Sequence, residues 1–155
     1  MNNEWRRLIE VRNEYHAILS EMLASNRGKL VECANESLRS PSERYIALSL
    51  AESFTPDELK SMFGTLVFTA SWAHPHTQTA RELVLKIPRQ WVLDHIEPVM
   101  EPILATDDPD EFRRMLELAR VLDHALLSKL CQRAVNHTNS EIREAGHDFL
   151  QGAPE

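Results

Sequence analysis

Four times along this chain a helix-capping residue is followed three positions later by a glutamate, and each time a run of apolar residues at helical spacing comes next. The tetrapeptides are Ser40-Pro-Ser-Glu43, Thr55-Pro-Asp-Glu58, Asp108-Pro-Asp-Glu111 and Thr138-Asn-Ser-Glu141. In such a box the first side chain accepts the amide of the third helical residue, and the glutamate reaches back to the capping amide. Proline in three of the four occupies the first helical position, where its missing N–H costs nothing. Starts of this kind, each opening a short amphipathic run, constrain the chain to many brief helices that bury their apolar faces on one another.

The clearest unit is Leu126 to Leu150. Leu126, Leu127, Leu130, Cys131 and Ala134 share one helical face, a polar turn follows, and Ile142, Ala145, Gly146 and Phe149 share the face of a second helix. Two helices this short require neighbours of the same kind. Earlier stretches repeat the plan. First helices are expected over 29–38, 57–70, 89–104 and 123–136, and second helices over 41–52, 77–87, 109–121 and 139–150. Each second helix carries an arginine near its start, Arg44, Arg81, Arg113 and Arg143, at intervals of 37, 32 and 30 residues. Residues two, three and six after each arginine are the expected core: Ile46, Ala47 and Leu50 in the first case, Leu83, Val84 and Ile87 in the second. Pro98 and Pro102 predict a kink or break near 94–97. Ahead of the pairs, Trp5, Leu8, Ile9, Tyr15, Ile18, Leu19, Met22 and Leu23 form the stripe of one long helix over 4–24, expected to cap the first pair's exposed core. That makes nine helices and no sheet in a single domain over 1–155, with 1–28 as the cap and 29–155 as the pairs.

Composition narrows the function classes. Hydrophobic content of 43% with 26% charged residues fits a globular chain, and the net charge of −7 lacks the clustered lysine and arginine a phosphate-binding surface needs. Cys33 and Cys131 lie on apolar faces and are expected as buried free thiols, fitting a reducing, cytoplasmic setting. The start MNNEWRRLIE has no apolar leader core, and no run is long enough to span a membrane. No Gly-x-Ser-x-Gly elbow and no glycine-rich phosphate loop is present; lone Gly64 reads as a site of close helix packing. Asp94-His95, Asp123-His124 and His147-Asp148 pair an acid with a histidine, the donor types that hold iron. Their differing places within the pairs point to structural or solvated histidines, and so do the surroundings of His74-Pro-His76. No metal or cofactor is expected. Trp72, beside that loop, reads as a staple between pairs or as an anchor for a partner.

Leu126 to Leu150, with its apolar first helix, short polar turn and Ile142-Arg143-Glu-Ala145 opening the second helix, resembles a HEAT repeat. Leu59 to Ile87, Trp91 to Ala119 and Lys29 to Leu50 resemble it more loosely. The resemblance implies an all-α, right-handed α-α superhelix of about four helix pairs whose second helices line a concave, protein-binding side. It also implies that each second-helix arginine meets an acid of an adjacent turn, with Asp107 and Asp108 as the candidates for Arg113. On such helices the residues one, four and five after each arginine face away from the core. The expected partner-binding residues are therefore Tyr45, Leu48, Glu82, Leu85, Arg114, Glu117, Glu144 and His147. The reading is a scaffold that binds a protein, neither nucleic acid nor membrane. Leu48 and Leu85 fall to the core instead if the helix over 4–24 or a tighter superhelix covers them. The alternatives are a metal-dependent or nucleic-acid-processing helical-repeat enzyme, or a small acidic inhibitory or immunity protein.

Overall fold

The computed structural model describes residues 2–152, and among them it contains ten α-helices and no strand. They are α1 (Asn3–Ser25), α2 (Arg27–Ser37), α3 (Arg44–Ala51), α4 (Pro56–Ser61), α5 (Phe63–Ser71), α6 (Thr77–Leu85), α7 (Arg89–Leu104), α8 (Pro109–Leu122), α9 (His124–Val135) and α10 (Ser140–Gln151).

Of the four expected starts, one forms the whole box and a second caps its helix without it. Thr55 and Glu58 complete a full capping box on α4, and Asp108 accepts the amides of Asp110 and Glu111 at the head of α8. Glu111 does not fold back; its carboxylate accepts from Trp72 Nε1 at 3.0 Å and from Thr106 Oγ1 at 2.7 Å. At the last start the cap is Asn139 rather than Thr138, because the Asn139 side chain takes the Glu141 amide. At the first, residues 41–43 form a turn and the helix begins only at Arg44. Glu43 accepts from Ser37 Oγ at 2.8 Å instead of closing a box.

The expected helix over 57–70 is two helices. Ser61 Oγ donates to the Glu58 carbonyl at 2.6 Å, competing with the helical ladder, and Met62 breaks from helical angles with φ −101° and ψ 0°. Conversely, α7 runs through Pro98 and Pro102 without the predicted break. Both prolines are exposed and one turn apart, so the carbonyls they leave unpaired, those of Asp94 and Pro98, lie on the side that water reaches.

Packing follows the chain. Helix α2 packs on α3, α5 on α6, α7 on α8 and α9 on α10. Between pairs, α3 touches α6, α5 touches α7 and α8, and α8 touches α10. Crowded on several sides, α8 buries Phe112, Met115, Leu116, Leu118, Ala119 and Leu122. Six ion pairs tie one pair to the next: Arg27–Glu58, Arg81–Glu117, Arg89–Asp123, Arg113–Asp148, Glu97–Lys129 and Glu101–Arg133. Their sequence separations run from 31 to 36 residues, the same range as the arginine intervals.

The first helix meets the core only at its end. No residue of α1 is buried; Leu19, Met22 and Leu23 rest against the core, while the stripe from Trp5 to Ile18 is exposed. An open groove of about 210 Å³ therefore remains between α2 and α3, floored by Leu30, Ala34, Ala47 and Leu50. Both cysteines are free. Cys131 is buried, which pushes its thiol pKa up, whereas Cys33 is only partly buried at that groove. Among the described residues no helix is long and apolar enough to cross a membrane.

Candidate interaction surfaces

The four periodic arginines divide into two roles. Arg44 and Arg143 turn back on their own helix pair. Arg44 Nε donates to the Leu38 carbonyl at 2.9 Å, and Arg143 donates to those of His137 and Thr138 at 2.8 and 2.7 Å. Each closes the turn ahead of its helix by occupying carbonyls that the turn leaves open. Arg81 and Arg113 instead reach forward to the next second helix, to Glu117 and Asp148. Neither Asp107 nor Asp108 meets Arg113. Asp107 stands in the left-handed region at φ 57° and accepts from His137 Nε2 at 3.0 Å, and Asp108 is the α8 cap.

The eight expected partner-binding residues do not share one fate. Leu48 is 1% exposed and belongs to the core. The buried face of α3 is Arg44, Ala47, Leu48 and Ala51, one residue step round from the expected face, so Ile46 turns outward instead at 53% exposure. Burying Arg44 against the Leu38 carbonyl fixes that rotation. Tyr45 is exposed at 62%, its ring 5.1 Å from that of His76, and Leu85 is exposed at 45%. Glu82 is exposed and accepts from Gln78, one turn earlier on α6. Arg114 and Glu117 are half-buried and structural. Glu117 takes hydrogen bonds from both Arg81 and Arg114; burial pushes its carboxyl pKa up, but the two arginines outweigh it and hold the group below its usual range. Glu144 and His147 are exposed on α10.

Sequence spacing also points to a cleft on α5. Gly64, Phe68 and Trp72 recur every fourth residue, which places them along one face of α5 and its end. With Arg39 and Thr65 they line an open cleft of about 420 Å³. Phe68 is 41% exposed and its ring lies 4.7 Å from that of Trp72. A Cβ placed on Gly64 would meet nothing within 4 Å, so close helix packing is not the reason for this glycine. Trp72 acts as the staple. Its indole N–H binds Glu111 of α8, the Arg44 guanidinium of α3 lies 5.3 Å over its ring, and its carbonyl accepts from Thr77 of α6.

The histidines are engaged or isolated. His74 Nε2 donates to the Thr69 carbonyl at 2.9 Å, and its Nδ1 accepts the His76 amide at 3.0 Å. That pattern is the neutral ring, and burial, with the nearby Arg44 charge, lowers its pKa accordingly. His95 stacks on Trp91 at 4.0 Å. Asp123 caps α9 and pairs with Arg89, and Asp148 pairs with Arg113. Among the described residues no three His, Cys, Asp or Glu side chains come together in a way that could hold a metal ion. Set against protein-family models, curated proteins and solved structures, the chain matches none of them.

Proposed function

We propose that this chain is a protein-binding scaffold whose helix pairs stack as HEAT-like repeats into a right-handed superhelix, and that its second helices carry the binding side. The single observation behind this reading is the exposure of Tyr45 and Leu85 on α3 and α6, two helices in direct contact. Large apolar side chains on neighbouring second helices, with Glu82 beside Leu85, make an anchor-and-rim arrangement of the kind partner sites use. Further along, Glu144 and His147 continue the side as a polar surface. The acidic rim and the net charge of −7 suit a partner with basic residues. Leu48 drops out of this site, and Arg114 and Glu117 serve it only by joining α6 to α8.

The test is a double substitution, Tyr45→Ser with Leu85→Ser, judged by two readouts. Proteins captured by the wild-type chain are identified by cross-linking, and their recovery with the variant is compared at matched thermal stability. Loss of a wild-type partner at unchanged melting temperature is the expected result. Undiminished capture of every partner would remove this surface from the function.

A further inference from the structure

The geometry points to a second copy of this chain as the occupant of the free face of α1, paired antiparallel over residues 4–15. Six large side chains of α1 (Trp5, Leu8, Ile9, Val11, Tyr15 and Ile18) are 40–57% exposed, whereas the same helix docks Leu19, Met22 and Leu23 on its own core. Half of the large hydrophobics exposed on the described residues therefore sit on one helix, a concentration that marks an interaction surface. Leu8, Val11, Tyr15 and Ile18 are spaced three, four and three apart, the seam of a two-helix coil.

Charge selects the partner and its direction. Flanking the seam are Trp5 and Arg12 on one side, Arg7 and Glu14 on the other. In an antiparallel pair with Leu8 opposite Val11 of the second copy, Arg7 of each copy faces Glu14 of the other. Trp5 of each faces Arg12 of the other, a cation over an indole. The glutamate at the outer end of the seam, Glu4, then falls opposite the Tyr15 ring with its hydroxyl donor. All of these contacts occur twice by the two-fold symmetry, as a self-complementary patch requires. A parallel pair sets Arg7 against Arg12, like against like. Sliding the antiparallel pair by one heptad sets Glu14 against Glu14 and Arg12 against Arg12. The favoured register ends before Leu19, so pairing leaves the docked end of α1 in place. The seam is short, and the association is correspondingly weak and concentration-dependent.

Sedimentation velocity on the full chain, over a concentration series at low salt, tests this. The wild type is expected to shift from monomer to dimer. Leu8→Glu, at an exposed position, is expected to stay monomeric with unchanged helicity and melting temperature at low concentration. Arg7→Glu replaces two attractive contacts with two repulsive ones and should weaken dimerisation about tenfold, and adding Glu14→Arg should restore it to within about threefold of wild type. A wild type that stays monomeric up to roughly 1 mM overturns the inference. So does Arg7→Glu strengthening association, the parallel outcome, or a double variant that fails to recover.

Discussion

The last helix pair and the first are assembled from the same kinds of residue, but they close to different degrees. In α9 and α10 the facing residues Leu130, Cys131, Ala134, Ile142, Ala145 and Gly146 are all buried. Gly146 lets the helices touch: a Cβ there would fall 2.7 Å from that of Ala134 and 3.0 Å from the Val135 backbone. In α2 and α3, Leu30, Ala34, Ala47 and Leu48 are buried too, yet a groove stays open between the helices and Ile46 points outward. Apolar spacing tells that a helix has a buried face; the smallest residue on that face tells how near the neighbour comes. The first pair has no glycine at its contact; Arg27 reaches from the head of α2 to the Ser53 carbonyl just after α3 and on to Glu58 of α4, a link made by charge rather than by close approach.

The sharpest way to break this comparison is to remove volume at each end. Ile142 is 0% exposed, so Ile142→Ala should lose about 2–5 kcal/mol, read as a lower denaturant midpoint at unchanged slope. Ile46→Ala, at a site 53% exposed, should stay within about 0.5 kcal/mol. Equal losses would mean that the first pair is closed as tightly as the last.

Two glycines sharpen it further, because the same substitution should act with opposite sign. Gly146→Ala gains helix propensity but drives a methyl into Ala134 and the Val135 backbone, neither of which can swing aside. A net loss of about 1–3 kcal/mol is expected. Gly64→Ala meets open space on a helix and should stabilise by about 0.5–1 kcal/mol. Thermal unfolding of the two variants beside wild type decides both, and a stabilising Gly146→Ala would deny the close contact of α9 with α10.

The sequence carried the helices and most of their inner faces, because periodicity is a local signal. Leu83, Val84 and Ile87, like Met115, Leu116 and Ala119, were expected in the core and are buried. What it could not carry depends on neighbours. The rotation of α3 is fixed by Arg44 binding the Leu38 carbonyl, a contact invisible in a hydrophobic pattern, and it moved Leu48 from candidate surface to core. Leu118 is buried because α8 is covered on several sides, whereas Phe149 is only partly buried against the core. The candidate site fared worse than the fold for the same reason. Exposure of Tyr45, Leu85, Glu144 and His147 follows from helix rotation, but the joining of Arg81, Arg114 and Glu117 depends on how two pairs stack.

The smallest effect concerns how the two ends respond to acid. Hydrogen bonding to Arg27, reinforced by the Thr55 amide and hydroxyl, overcomes partial burial and lowers the Glu58 carboxyl pKa to about 2. A carboxyl ordinarily titrates near 4.3 when the chain is unfolded, so below that pH the unfolded state takes up a proton that the folded state refuses. The stability Glu58 contributes is therefore complete above about pH 5, declines as pH falls, and is gone below about 2. Glu58→Gln keeps an oxygen for the Thr55 amide, and removes the charge together with the acceptor that Arg27 Nε uses. Since that pair is partly open to solvent, the cost at neutral pH should be small, about 0.2–1 kcal/mol. The informative readout is the slope: wild type and Glu58→Gln should differ at pH 7 and converge between about pH 4 and 2, whereas the Ile142→Ala deficit should stay constant over that range. A Glu58→Gln deficit that persisted unchanged to pH 2 would mean that the link from α2 to α4, like the contact of α9 with α10, is held by shape rather than by charge.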